Sequence, residues 1–243
     1  MEISPGLSIL NAVNPPPGQF GPAFGTIGGF VYKGSTPFLL TCFHCIENAA
    51  LNFDDFVPDE TNDTAATLLT DQTRVPIGTI IDARMTITTA QDPNDPAVSK
   101  NINLDIALIE PNIAANTLNF NIPVNQAVTG SRILLDSDKG SVNVFKYGNK
   151  TFGTSGTFIG ISTINITYPP RPEIRYFNRV VMVSGGSHAF AEGGDSGAFI
   201  LDENNAVVGV LFLADAPNKI AYGICPDLIE QALGVTFKPP TLT

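Results

Sequence analysis

The chain has 243 residues, a formal net charge of −10 and only two histidines, His44 and His188. A hydrophobic fraction of 43% and a charged fraction of 15% indicate a folded chain with a sizeable core rather than a disordered one. Nucleic acids and anionic membranes bind surfaces rich in Lys and Arg, so this acidic balance argues against either as a partner. Any chemistry that requires an imidazole must use one of the two histidines.

Targeting signals and cysteine usage bear on the compartment. The sequence has no apolar run of about 18 residues or more, so we expect no transmembrane helix. The N-terminal residues lack the basic start of a signal peptide, and prolines 15–17 interrupt their apolar run. The cysteines Cys42, Cys45 and Cys225 are an odd number, which fits a reducing compartment better than a disulfide framework. We therefore expect a cytoplasmic protein.

Short segments rich in Val, Ile, Thr and Phe, bounded by Gly, Asn, Asp and Pro, recur along the chain and predict about eleven β-strands. In chain order they are Thr26–Tyr32, Pro37–Phe43, Arg74–Thr88, Asp105–Ile109, Ser131–Leu135, Ser141–Lys146, Gly156–Thr167, Arg175–Val183, Ala198–Leu201, Ala206–Leu213 and Lys219–Ile224. A helix is expected over Asp227–Leu233, because it follows Pro226 and stops at Gly234. The pattern predicts an all-β sandwich or pair of barrels with a short C-terminal helix.

Two stretches interrupt the strand pattern. Residues 52–71 are rich in Asp and Glu, but their spacing matches no EF-hand loop. We interpret them as a solvated acidic loop rather than a cation site. Residues 111–127 are rich in Asn and are expected to connect two halves of similar size.

The sharpest local signal is the segment EGGDSGA at residues 192–198. A serine between glycines suits a nucleophile on a tight turn, because glycine allows unusual backbone dihedrals and a close approach of a substrate carbonyl. The amides of Gly194 and Ser196 can converge there on one oxyanion. The same residue types are also common in ordinary loops.

A serine nucleophile needs a base, and the base needs an orienting acid. His44 follows an apolar run over residues 37–43, which places it at the end of a buried strand. Asp105 heads another apolar strand, where a buried carboxylate requires a partner such as His44. His188 is interpreted as a pocket wall or an exposed loop residue.

Cysteines 42 and 45 flank His44, but no second Cys/His pair completes a tetrahedral zinc site. We expect two buried thiols beside a functional histidine, and no metal. A bridge between the two is expected to be strained at this spacing.

The motifs TCFHC at 41–45, DIAL at 105–108 and GDSG at 194–197 follow the order His, Asp, Ser. With them the chain resembles the chymotrypsin/trypsin superfamily of serine peptidases. The segments GTIGGFV at 25–31 and VVGVLF at 207–212 are similar to leaderless trypsin-like peptidases of bacteria and of plants, where they form the Narrow-leaf type.

The resemblance implies two six-stranded antiparallel β-barrels with the active site in the cleft between them. The division it implies is an N-terminal extension over 1–19, an N-terminal barrel over 20–112, a linker over 113–127 and a C-terminal barrel with the terminal helix over 128–243.

The function it implies is that of a trypsin-like serine endopeptidase, which cleaves protein or peptide substrates through an acyl-enzyme and uses no cofactor. By this resemblance His44 is the general base, Asp105 orients it, Ser196 is the nucleophile, and the amides of Gly194 and Ser196 form the oxyanion hole. Activity should then fall below a pKa of roughly 6.5.

Relatives that are activated by proteolysis pair a new N-terminus with the Asp before the nucleophile. Ile27-Gly28-Gly29 lies too close to His44 to supply that N-terminus. We therefore expect Asp195 to have another partner, or the site to be assembled by a ligand or an activating partner protein. The alternative function is a catalytically silent or partner-activated scaffold that acts in protein–protein interaction.

The specificity pocket is predicted from the positions around the nucleophile. The floor position, six residues before Ser196, is Phe190, so no carboxylate is there to favour Lys or Arg. The opposite wall is predicted to be Leu211, Phe212, Leu213 and Ala214. Small or apolar substrate side chains are expected, although Asp215 and Glu192 on the rim leave a basic preference open. Phe190 fits a plain core residue equally well.

Overall fold

The computed structural model describes residues 2–12, 24–46, 64–68, 73–85, 87–92, 95–112, 117–122, 126–167 and 174–240. Its strands are β1 (Ser8–Asn11), β2 (Gly25–Thr26), β3 (Gly29–Lys33), β4 (Thr36–Thr41), β5 (Thr64–Leu68), β6 (Arg74–Arg84), β7 (Ile87–Asp92), β8 (Asp95–Asn103), β9 (Ile106–Pro111), β10 (Asn121–Ile122), β11 (Gln126–Ala127), β12 (Gly130–Ser131), β13 (Asn143–Gly148), β14 (Phe152–Thr167), β15 (Ile174–Ser184), β16 (Phe199–Asp202), β17 (Ala206–Asp215) and β18 (Ile220–Ile224). Short 3-10 turns occupy Phe43–Cys45 and Asp136–Asp138, and helix α1 spans Pro226–Leu233. The all-β prediction is confirmed.

The first sheet has the strand order β2-β1-β5-β6-β9-β4-β3. Its two ends, β2 and β3, are consecutive pieces of one chain segment that bends at Ile27 and Gly28. The ends of the sheet therefore meet, and six chain segments curl into a barrel.

The second sheet closes through hydrogen bonds. Strands β17, β16, β13, β14, β15 and β18 follow one another, and β17 also pairs with β18. Strand β12 is an addition, a two-residue strand parallel to β17. With β2 and β3 counted as one bent segment and β12 set aside, each barrel has the six strands that were predicted.

Several strand predictions need correction. The sequence predicts a strand over Ser131–Leu135, whereas β12 ends at Ser131. Ile133 and Leu135 are 48% and 60% exposed, so their apolar character does not reflect burial in a sheet. The predicted strand Arg74–Thr88 is divided at Met85 into β6 and the β7–β8 hairpin.

The segments outside the two predicted barrels are only partly described. Residues 8–11, inside the predicted N-terminal extension, form β1 of the first sheet. The predicted acidic loop contains β5, and its residues 52–63 and 69–71 lie outside the described residues. The predicted linker holds the β10–β11 hairpin, while its residues 113–116 and 123–125 are also outside them. The domain boundaries stay a prediction.

The C-terminal helix is confirmed, and the chain beyond it returns to the first barrel. Helix α1 begins with Pro226 and ends at Gly234, whose φ of 63° is the left-handed conformation that favours glycine. The backbones of Thr236 and Tyr32 then exchange hydrogen bonds of 2.8 and 2.9 Å. Phe237 is fully buried, with its ring 5.3 Å from that of Phe199. Within the described ranges, no helix has the length and apolar character needed to cross a membrane.

Candidate active site

Strand pairing brings His44 and Asp105 together although 61 residues separate them. The end of β4 pairs with the start of β9, with Thr41 opposite Ala107. His44 lies just after β4, in a 3-10 turn, and Asp105 lies just before β9. Both residues are therefore at the same end of these two neighbouring antiparallel strands. The predicted pairing of these two residues is thus present in the fold.

The Asp105 carboxylate holds both the backbone and the ring of His44. Oδ1 accepts a hydrogen bond from the His44 amide at 3.0 Å, and Oδ2 lies 2.5 Å from Nδ1. Asp105 is fully buried, whereas the His44 side chain keeps 21% of its surface exposed. Burial lowers the pKa of His44, but the charges of Asp105 and Cys45 outweigh it and raise that pKa well above the usual value.

Ser196 lies on a turn that is fastened to strand β17. The amide of Gly197 donates to the carbonyl of Leu211 at 2.7 Å, and the Ser196 hydroxyl lies 3.4 Å from the carbonyl of Phe212. Gly194 and Gly197 have φ values of 106° and 97°, which other residues rarely adopt. The glycines of the GDSG motif are therefore required by the shape of the turn.

Asp195, next to the nucleophile, has an internal cationic partner. Its Oδ2 lies 3.1 Å from Lys146 Nζ, and both side chains are fully buried. The same carboxylate accepts hydrogen bonds from the Thr151 hydroxyl at 2.7 Å and from the amides of Lys150, Thr151 and Glu192. Burial raises the pKa of Asp195, but the Thr151 hydrogen bond and the charge of Lys146 lower it below its usual value. The expectation of another partner for Asp195 is met by Lys146.

Thr26, on β2 of the first barrel, is bound to the nucleophile turn of the second. Its amide donates to the Ser196 carbonyl at 2.7 Å, and its hydroxyl donates to the Gly194 carbonyl at 2.9 Å. The hydroxyl oxygen also accepts a hydrogen bond from the amide of Asn149 at 2.9 Å. Thr26 therefore holds both residues that are predicted to carry the oxyanion amides.

The thiols of Cys42 and Cys45 are buried and not bonded to each other. Cys45 Sγ lies 3.5 Å from His44 Nε2 and 3.6 Å from the Ser196 carbonyl. Cys42 Sγ lies 3.1 Å from the Leu211 carbonyl, to which it donates. The expectation of buried thiols beside the histidine is confirmed.

Cys42, His44 and Asp105 form a cluster of side chains that are common metal ligands. Their ligand atoms lie within 4.8 Å of one another. Two nitrogen or oxygen ligands of a tetrahedral zinc ion lie about 3.3 Å apart. His44 Nδ1 and Asp105 Oδ2 are 2.5 Å apart, which is too close for two ligands of one zinc ion.

A family model described as Peptidase family S64 matches residues 89–221. The chain belongs to this family. The matched span includes Asp105 and Ser196 but begins after His44, so the histidine is placed by the fold and not by the family match. No curated protein sequence matches the chain.

Solved structures resemble this S64 peptidase in fold. A serine protease described as specific for glutamic acid has a TM-score of 0.59 at 14% identity, covering 96% of this chain and 99% of its own. An α-lytic protease homologue, N4, has a TM-score of 0.58 at 15% identity, covering 98% and 100%. The chymotrypsin of Cellulomonas bogoriensis has a TM-score of 0.54 at 17% identity, covering 97% of each chain. At these identities the likeness shows the chymotrypsin-like double-barrel fold, and with the family match it identifies a serine peptidase.

The predicted specificity residues of the S64 peptidase fall into two groups. Phe190, Leu211 and Phe212 are each at most 2% exposed and belong to the core, and the Phe190 carbonyl accepts a hydrogen bond from Thr154. Leu213 and Ala214 are half-buried and line a pocket of about 560 Å³. The other lining residues are Ile164, Asn165, Ile166, Asp215, Pro217 and Tyr222.

Sequence reasoning missed Lys146 and Thr26. Lys146 was detectable in principle, because it alternates with Val144 and Gly148 on the inward side of β13, where a charge requires a buried partner. Thr26 carried no such signal, since a threonine in a β-strand is ordinary. His188 lies exposed in the loop after β15, as expected for a loop residue.

Proposed function

We propose that this S64 peptidase is a trypsin-like serine endopeptidase that cleaves peptide bonds through an acyl-enzyme on Ser196. The observation that carries the proposal is the His44–Asp105 pair at 2.5 Å on one barrel, beside a nucleophile turn that Thr26 fastens to the same barrel. His44 takes the proton of the Ser196 hydroxyl as the oxygen attacks the scissile carbonyl, and later gives it to the leaving amine. The amides of Gly194 and Ser196 stabilise the oxyanion.

The Lys146–Asp195 pair supports activity without an activating partner protein. A buried carboxylate beside the nucleophile would be costly unless paired, and Lys146 neutralises it from within the same barrel. The turn that carries the oxyanion amides is thereby stabilised before any partner binds. Partner activation remains the alternative, and it predicts a folded protein that does not react until a second protein is added.

The proposed substrates are proteins or peptides with an apolar residue near the scissile bond. Leu213 and Ala214, directly after the residue whose carbonyl lies beside the Ser196 hydroxyl, give the neighbouring pocket an apolar wall. Asp215 in the same pocket allows a basic side chain at its rim. A peptide-library cleavage profile tests this preference, and Asp215→Asn should remove any basic component of it.

The deciding experiment is labelling with a fluorophosphonate probe. We expect the wild type and Ser187→Ala, which lacks an exposed loop serine, to be labelled, and Ser196→Ala to remain unlabelled. Labelling that persists in Ser196→Ala would refute the nucleophile. A folded wild type that is never labelled would favour the scaffold.

The pH dependence follows from the pKa of His44. A base must be unprotonated, so kcat/KM should fall as the pH drops through that pKa. Because Asp105 and Cys45 raise the pKa above 6.5, the acid limb should lie at higher pH than for an unperturbed imidazole. Steady-state kinetics across the pH range measure it, and a flat profile down to pH about 5 would contradict His44 as the base.

A further inference from the structure

Cys45 occupies a position that no step of the proposed reaction uses. Its Sγ lies 3.5 Å from His44 Nε2, the nitrogen that must accept the Ser196 proton. The same Sγ lies 3.6 Å from the Ser196 carbonyl and fills the space above Gly25, where an added Cβ would be 2.2 Å away. The thiol is thus wedged between the base and the nucleophile turn.

Cys42 and Cys45 lie at the two ends of one short turn. The two residues are the first and fourth of a turn in which the Cys45 amide donates to the Cys42 carbonyl at 3.3 Å. A turn closed in this way keeps its end Cα atoms within about 7 Å of each other, close to the range found for disulfides. The strain expected of so short a loop makes such a disulfide easy to reduce, a property of regulatory disulfides.

We propose that Cys42 and Cys45 are a reversible dithiol–disulfide pair, and that reduced Cys45 restrains catalysis by competing with Ser196 for His44 Nε2. The inference rests on the proposed function, because it assigns Nε2 the role of base. In the reduced protein a proton shared by Cys45 and Nε2 keeps the imidazole from accepting the Ser196 proton. In the disulfide, Cys45 Sγ is bonded to Cys42 and has no proton to share.

The electrostatics of the turn agree with this assignment. Burial raises the pKa of Cys45, but the neighbouring Cys42 thiol and the charge of His44 lower it to about 6. Burial and the neighbouring Cys45 thiol raise the pKa of Cys42 well above its usual value. The described titratable groups that act on this pair are Asp105 and the members of the turn, and β1, which also packs on the turn, has none.

Hydrogen peroxide is a two-electron oxidant that can convert such a pair of thiols into a disulfide. The Cys45 thiolate attacks one peroxide oxygen, the O–O bond breaks, and the departing hydroxide takes up a proton to become water. Cys42 then attacks the sulfenic sulfur of Cys45 and loses its thiol proton, and the second oxygen leaves as water. The two cysteines lose two electrons in total, and one peroxide is reduced to two waters.

The experiment compares the wild type, reduced with dithiothreitol or oxidised with peroxide, with Cys45→Ala. Oxidised wild type should lose two thiols out of three by thiol titration, with a Cys42–Cys45 bridge in peptide maps. At pH 7 its kcat/KM should exceed that of the reduced form by about three- to tenfold, the effect of lowering the base's pKa by about 0.5 to 1 unit. Cys45→Ala should match the oxidised form without peroxide, and the difference should vanish at alkaline pH.

Two controls and an activity-free readout separate the outcomes. Cys42→Ala should keep the low activity of the reduced protein and lose the disulfide. Cys225→Ala should change neither the activity nor the disulfide, because the Cys225 thiol donates a hydrogen bond to the Arg179 carbonyl in the other barrel. His44 should titrate at lower pH in Cys45→Ala than in reduced wild type by NMR, with its signal assigned through His188→Gln.

Equal activity and equal His44 titration in reduced wild type and Cys45→Ala would overturn the restraint by Cys45. Failure of peroxide to form the Cys42–Cys45 bridge would overturn the disulfide. If the protein hydrolyses nothing, the proposed function fails, and thiol counts and NMR still decide the thiol pair.

Discussion

Two residues far from Ser196 in the sequence, Thr26 and Lys146, hold the turn that carries it. Thr26 reaches across from the first barrel, and Lys146 neutralises Asp195 inside the second. Neither takes part in bond making, so both are positioning residues. The contribution of each residue to the nucleophile turn can be measured, because conservative variants remove its polar group and leave most of the side chain in place.

Thr26→Val removes the hydroxyl and keeps the backbone hydrogen bond. The Gly194 carbonyl and the Asn149 amide would each lose a buried partner, at a cost of about 1–3 kcal/mol per group. We expect kcat to fall about tenfold or more, with little change in KM and restoration in Thr26→Ser. The matched control is Thr67→Val, which removes a buried hydroxyl that is hydrogen-bonded to Ser8 elsewhere in the first barrel. A similar loss of kcat in the control would contradict a specific role of Thr26.

Lys146→Met should destabilise the protein by about 3–5 kcal/mol, because Asp195 would keep a buried charge without its cation. The double variant with Asp195→Asn should be less affected, as urea unfolding can measure. The native pKa of Asp195 is lower than its unfolded value of about 3.9, so the charged carboxylate stabilises the wild type at pH values above about 3.9. This contribution is lost as the pH falls through the native pKa. The difference between Lys146→Met and wild type should therefore shrink in acid; a gap independent of pH would contradict the ion pair.

At the scale of elements, the bend between β2 and β3 decides how closely the barrels approach. An added Cβ on Gly28 would lie 2.1 Å from the Gly197 carbonyl and 2.6 Å from the ring of Phe199. The first barrel thus presents bare backbone to the nucleophile turn. Glycine is needed here for close approach and not for an unusual φ.

Gly28→Ala should therefore move the nucleophile turn away from β2. We expect a lower Tm and a loss of fluorophosphonate labelling rate, because the clash is with backbone that cannot swing aside. Gly153→Ala on β14, where the added Cβ would lie 3.6 Å from Tyr147, is expected to be close to neutral. If Gly28→Ala were labelled at the rate of the wild type, the interface between the two barrels would tolerate a side chain at this position.

At the scale of the whole molecule, the C-terminal residues join both barrels. Phe237 packs against Phe199 of the second barrel, and its neighbour Thr236 pairs with Tyr32 of the first. The Phe237 amide also donates to Glu230 of α1 at 3.1 Å. The tail after the helix therefore stabilises the arrangement on which the cleft depends.

Phe237→Ala should lower the free energy of unfolding by about 3–5 kcal/mol, since the ring is fully buried. Phe152→Ala, at a residue 61% exposed, should cost far less. Chemical denaturation measures both variants, and equal effects would show that Phe237 does not join the barrels.

Local sequence patterns were sufficient to predict the fold class and the C-terminal helix, and they single out the three residues proposed for catalysis. These predictions rest on local signals that can be read without knowledge of distant contacts. The signals are the period-two patterning, a Pro and a Gly at the helix ends, and the ordered His, Asp and Ser motifs. Cytoplasmic localisation, the leaderless subtype and the domain boundaries remain predictions.

The residues that surround those three became known only from the tertiary structure. Thr26 and Gly194 are 168 residues apart, and Lys146 and Asp195 lie on different parts of the second barrel. From the sequence, Phe190 is equally compatible with a pocket floor and a core residue, and in the fold its side chain is buried in the core cluster. Such contacts depend on strand register and on how two barrels meet, and neither is encoded in any short segment of the chain.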